Sequence, residues 1–150
     1  MRYVTLLVVL TACTRAPGSA ADTTGDAAPP PAPPAPAATL SGPTWRWVRI
    51  VTPVETIEAP SSGTYTLELS DSNRVSGTAD CNRMAGSYAS TGPALSIGPL
   101  ITTRMACPPG GLGTRYTQWL EAAANYFFRD DTLFVDLKMD TGTMRFVRSD

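Results

Sequence analysis

From Thr14 to Pro43 the chain reads TRAPGSAADTTGDAAPPPAPPAPAATLSGP, and this stretch limits what the rest can become. It is made of Ala, Pro, Thr, Gly and Ser, with almost no large apolar residue. Such a segment cannot bury enough surface to offset the entropy lost on ordering it. The run PPPAPPAP favours extended polyproline backbone, at about 3.1 Å per residue. We therefore expect a disordered or semi-rigid tether over 13–43. Pro-rich runs also serve as ligands for partner domains, but a spacer is the simpler reading. Whatever folds must do so over 44–150, a length that suits one domain.

Ahead of the tether stands MRYVTLLVVLTAC. Arg2 gives a minimal positive end, and Val4 to Leu10 is a short apolar run. That run falls far short of the roughly 20 residues a membrane-spanning helix needs. It fits the hydrophobic part of a secretory signal over 1–12. Leu10, Thr11, Ala12 and Cys13 follow the order Leu, small, small, Cys. This resembles the bacterial lipoprotein signal class, in which the cysteine is diacylated and becomes the new N-terminus. Acyl chains contribute about 0.8 kcal/mol per buried methylene, and more than one chain anchors stably. Thr14 stands after Cys13, where an Asp would favour retention at the inner membrane. The expected location is the cell envelope, lipid-anchored at the outer membrane and facing the periplasm.

The chain carries 12 Lys and Arg against 13 Asp and Glu, a net charge of −1. Lys138 is its one lysine, and no basic stripe forms, which argues against a nucleic-acid partner. There is no histidine. That removes the commonest general base, the Ser-His and Cys-His pairs, and the commonest metal ligand. No Ser, Thr, Tyr, Asp or Glu stands in a spacing that implies activation. The reading is a non-enzymatic protein with no catalytic residues, no metal and no cofactor.

Alternation of apolar and polar residues predicts strands. TWRWVRI (44–50) places Trp45, Trp47 and Arg49 on one face. VTPVETIEAPSSG reads as a loop or edge segment. TYTLELS (64–70) places Tyr65, Leu67 and Leu69 together, and Asp71-Ser72-Asn73 turns the chain into RVSGTA. In that strand Gly77 marks a bulge or a close approach. Another strand through Met84 and Tyr88 follows a break at 80–82, and ALSIG is a short one. Leu112, Tyr116, Trp119, Leu120, Ala123 and Phe127 follow helical spacing, which predicts a helix capped by Thr114 and ending near Phe128. TLFVDLKM places Leu133, Val135, Leu137 and Met139 on one face, and Asp140-Thr141-Gly142 turns it into TMRFVRS. Five strands, one helix and two strands make an α+β domain: a strongly curved antiparallel sheet or small barrel packed against a single helix.

Within it lies DCNRMAGSYASTGPALSIGPLITTRMACP (80–108), with a cysteine near each end. An exported chain meets an oxidising compartment, and with Cys13 lipidated, Cys81 and Cys107 remain as an even pair. A bridge between them closes a loop of about 26 residues and stabilises the fold by roughly 3–4 kcal/mol. Redox catalysis usually uses Cys-x-x-Cys, and these thiols are far apart in sequence. Cys81-x-x-Met84 with Met105-x-Cys107 also offers soft sulfur to Cu(I), although Met84 and Met105 fit a core-filling role equally. Arg104 suits an anion, or more simply a structural hydrogen bond or ion pair. Asn82 can bond nearby backbone and hold the break after Cys81.

These residues resemble the META domain family, whose members are also described as HslJ-like heat-shock proteins. Trp45 opens the first strand. VSGTADCNRMAGSY (75–88) carries the G-x-x-x-C-N-x-x-x-G-x-Y pattern, and LSIGPLITTRMACP (95–108) carries the T-x-M-A-C-P pattern. The resemblance covers about 44–149. It departs from the family at PPGGLGTRY (108–116), where an acidic helix start is missing. It implies a small α+β fold with a curved sheet and one helix, in envelope or secreted proteins linked loosely to stress. The function expected is a disulfide-stapled envelope lipoprotein that binds an unknown envelope protein or supports the envelope under stress. The alternative is a carrier of a small apolar ligand such as a lipid, lined by Trp45, Trp47, Tyr65, Phe127 and Phe134.

Overall fold

The structure is a computed structural model that describes residues 39–149. The expected signal, the lipidated Cys13 and most of the tether lie outside the described residues. Ten strands form one antiparallel sheet: β1 Thr44–Val51, β2 Thr56–Glu58, β3 Thr64–Ser70, β4 Arg74–Asp80, β5 Asn82–Thr91, β6 Ala94–Ile97, β7 Ile101–Thr102, β8 Ala123–Arg129, β9 Thr132–Leu137 and β10 Thr143–Ser149. One helix, α1, spans Gly113–Glu121. The order β1-β3-β4-β5-β6-β8-β9-β10 returns to β1 through the β1–β10 pairing, so the sheet closes into a barrel. β2 lies beside the C-terminal half of β1, and β7 pairs with β5 at Met84 and Ala85. Among the described residues this is an α+β barrel with one α-helix.

The alternation read from the sequence places the core. Tyr65, Leu67 and Leu69 of β3, Leu95 and Ile97 of β6, and Leu133, Val135 and Leu137 of β9 are all buried. β1 departs from simple alternation. Its register against β10 shifts between Trp47 and Arg49, so Ile50 turns inward and Arg49 outward. A bulge of this kind puts an extra residue into one strand and changes which face later side chains take. At Gly77 a side chain would run into the Thr66 carbonyl of β3, so only glycine lets β3 and β4 approach there.

The helix is shorter than its spacing implies. It ends at Glu121, and Ala123–Arg129 is a strand. Ala123 and Phe127 match helical spacing by coincidence. The segment AANYFFR is rich in aromatic residues and gains a full ladder against β9, which the barrel needs to close. Thr114 does not cap the helix: it lies inside it, with Leu112 at the N-cap position and no side-chain cap bond. Tyr116 and Leu120, one turn apart, are its buried face. Tyr116 touches the rings of Trp47, Tyr65 and Phe146, which fixes the helix on the barrel core. Full burial of each of these two side chains is worth about 1.5–3 kcal/mol. Met139 does not continue the buried face of β9; it stands exposed in the turn before β10, with φ 57°.

Packing starts ahead of the expected boundary at 44. Leu40 joins the core, its carbonyl accepts the Trp45 indole N–H at 3.0 Å, and the Gly42 N–H donates to the Leu69 carbonyl at 3.0 Å.

Candidate functional site

The stretch from Asp80 to Gly113 folds into one corner of the domain. Cys81 and Cys107 are joined by a disulfide, with their Cα atoms 5.5 Å apart. Beside it Asn82 works as a clamp. Its Oδ1 accepts the Met105 N–H at 2.7 Å and the Thr103 hydroxyl at 2.9 Å. Its Nδ2 donates to the Met105 carbonyl at 3.3 Å and faces Cys107 Sγ at 3.1 Å. The Thr103 N–H donates to the Arg83 carbonyl, and its hydroxyl accepts the Arg83 N–H at 3.1 Å. Residues 101–106 are exposed, so polar bonds and a cross-link hold them where core packing does not.

Asp80 ends β4 immediately before the disulfide, in a left-handed conformation with φ 66°. Asp is among the few side chains that tolerate this region. It is only 7% exposed and is the one buried charged residue among the described residues. Glycines surround its carboxylate: a Cβ at Gly63 would fall on Oδ1, and a Cβ at Gly111 would fall on Oδ2. A Cβ at Gly113 would lie 3.2 Å from the Cβ of Asp80. The carboxylate makes no side-chain hydrogen bond among the described residues. It lines a cleft of about 450 Å³, with Asn82, Cys107, Gly111, Gly113 and Thr114 among the other walls.

The helix start forms the facing wall. The first closed helical bond runs from the Tyr116 N–H to the Leu112 carbonyl, and the Leu112 N–H donates to the Tyr65 hydroxyl at 2.7 Å. The N–H groups of Gly113, Thr114 and Arg115 have no partner among the described residues, as the first amides of a helix lack one unless a cap supplies it. Burial pushes the Tyr65 phenol above its ordinary value; the Leu112 amide opposes this, and the charge of Asp80 adds to it. Arg115, also on the cleft wall, lies over the Trp119 ring, 4.8 Å from its centroid, and meets Glu55 at 4.0 Å.

The other residues singled out in the sequence are dispersed. Trp45 is buried in the core. Arg104 is exposed and has neither an ion pair nor a side-chain hydrogen bond among the described residues. Met84 is buried, but Met105 stands exposed, so it fills no core; one turn of polar clamping has replaced packing there. With Cys81 and Cys107 bridged, the sulfur set imagined for Cu(I) has no thiolate to offer. The aromatics imagined around an apolar ligand are split between two faces. Trp47 packs on Tyr65, inside, while Phe127 stacks on Phe134 at 4.9 Å on the outer face of β8 and β9. Asp80 and the Gly110-Gly111-Leu112-Gly113 loop carry the cleft, although in sequence they stand only as a break and a helix lead-in. Their signal was the clustering of glycines ahead of a helix without a capping side chain.

Comparisons with known proteins agree with this architecture. No curated protein matches the chain. A protein from Burkholderia xenovorans, solved by NMR, is similar at 31% identity and a TM-score of 0.62, over 73% of this chain and 83% of that one. A DUF4847-family protein from Bacteroides vulgatus, solved by crystallography, shares the fold at 12% identity and a TM-score of 0.52, over 72% of this chain and 94% of its own. The META domain family model matches residues 38–150. This match spans the whole barrel, its helix and both cysteine motifs, and the chain belongs to the META domain family.

Proposed function

We propose that the protein is a lipid-anchored envelope protein whose META domain is a binding module with a stress-related role. Its contact site is the cleft at Asp80. The observation that carries this reading is the state of Asp80: a buried acidic residue that lines the cleft and has no ion-pair partner among the described residues. Buried charges are ordinarily paired, so an unpaired one in a cleft leaves room for a second molecule to supply the partner. The anchor rests on Leu10 to Cys13, and the outer membrane on Thr14.

Two experiments test it. Cys13→Ser is expected to leave the precursor unprocessed and lost from the outer-membrane fraction; normal processing and membrane recovery would remove the anchor. A deletion strain, challenged with envelope stress, is complemented with wild-type chain or with Asp80→Asn. The variant is expected to reach normal levels in the membrane and fail to restore growth. Full complementation by it would mean that the cleft is not the working site.

A further inference from the structure

The cleft is lined by groups of opposite character that are all left unsatisfied. On one wall stands the Asp80 carboxylate, an acceptor nine-tenths buried with no donor among the described residues. On the other stand the amides of Gly113, Thr114 and Arg115, donors at the positive end of a nine-residue helix with no capping side chain. Buried acceptors and helix-start donors find partners in protein, water or ligand. Here the two walls are close, since the Cβ of Asp80 lies 3.2 Å from where a Gly113 side chain would begin. Gly63 and Gly111 let the backbone lie directly against the carboxylate, because a side chain at either place would fall on Oδ1 or Oδ2.

A ligand that is only a cation would meet Asp80 well but would also face the positive end of the helix. One that is only an anion would suit the amides, as helix starts do, but would face the carboxylate. The charge pattern is satisfied by a molecule that carries both signs a carbon or two apart. A volume of about 450 Å³ holds a molecule of that size, within the range of about 300–1,000 Å³ usual for small-molecule sites. We infer that this cleft binds a small zwitterion of the α-amino acid type, its ammonium on the Asp80 carboxylate and its carboxylate on the amides of Gly113, Thr114 and Arg115. The inference rests on the reading of the cleft as the working site: complementation by Asp80→Asn tests that reading, and the titration below tests the ligand class.

The experiment is an amide NMR titration of the full chain in detergent, using glycine, methylamine and acetate as probes. Glycine is expected to shift the Gly111, Gly113, Thr114 and Arg115 amides saturably, with methylamine and acetate each at least about tenfold weaker. Asp80→Asn is expected to weaken glycine by about tenfold while the β8–β10 resonances stay in place. No saturable shift with glycine would overturn the inference and leave water as the bridge between the walls. Methylamine or acetate binding as tightly as glycine would overturn it in favour of a plain cation or anion site. Unchanged glycine binding in Asp80→Asn would remove the carboxylate from the site. The comparison of the three probes needs no variant, so it decides even if Asp80→Asn does not fold.

Discussion

Two flanks of the barrel hold their shape by different means. The β8–β10 flank is held by packing. Leu133, Val135, Leu137, Met144 and Phe146 alternate inward without a break, and their strands pair over nearly their full length. The flank from Ile101 to Leu112 has a strand of only two residues and little that is buried. It is held by the Cys81–Cys107 bridge and by the Asn82 clamp. The difference teaches why the cleft lies where it does. A wall that must pack its side chains fills its own space. A wall fixed by a cross-link and a few polar bonds can keep glycines, bare amides and a carboxylate facing solvent.

The contrast can be broken from either side. Phe146→Ala in the packed flank is expected to cost about 3–5 kcal/mol, the usual range for removing a buried aromatic ring. Urea unfolding checks this, and a loss under about 1 kcal/mol would mean that packing does not hold this flank. The double variant Cys81→Ser, Cys107→Ser is expected to cost roughly 3–4 kcal/mol through the freed loop. Hydrogen exchange should show its effect first at residues 101–112, with β8–β10 protected; simultaneous loss in both flanks would show that they form one unit. Asn82→Ala is expected to cost roughly 2–3 kcal/mol, since it removes three hydrogen bonds that each contribute about 1 kcal/mol net or a little less where exposed, and to speed exchange at the Met105 amide.

The smallest effect at neutral pH is expected from Tyr116→Phe. Its hydroxyl is buried with no partner, so its removal should change stability by no more than about 1 kcal/mol, in either direction. Alkali sharpens this test. Burial pushes the Tyr116 phenol well above its ordinary value of about 10. Below that value the proton stays on in both the folded and the unfolded chain, and stability does not depend on it. Above it the unfolded chain releases the proton while the folded chain keeps it, so stability falls as pH rises. Urea midpoints compared at about pH 8 and pH 10.5 should show a shallower fall in Tyr116→Phe than in wild type. An equal fall would place the alkaline sensitivity elsewhere, with Tyr65 the next candidate.

Most of the barrel was legible because its strands bury one face and expose the other, and period-two alternation reports that directly. The Asp71–Asn73 and Asp140–Gly142 turns were legible for a similar reason, since their residues tolerate the backbone that a reversal needs. What failed was local pattern without tertiary context. Phe127 obeys a helical period, yet it lies on a strand because β9 offers it a partner. Arg49 follows Trp45 and Trp47 by parity, yet a bulge turns it out. The cleft was the least legible part. Asp80 is an ordinary acid beside a cysteine until folding sets it against Gly63, Gly111 and the start of a helix, none of them adjacent to it in sequence.

The closure of the barrel has a consequence in time. β1 takes β10 as a neighbour along its whole length, with Thr44 opposite Ser149. A chain made from its N-terminus therefore carries one unpaired edge on its first strand until its last strand exists. The ring shuts in a single late event that joins residues about a hundred positions apart, the kind of distant pairing that slows folding. Folding before synthesis ends is thereby discouraged. Premature termination anywhere before residue 143 would yield not a smaller barrel but an open sheet with two sticky borders.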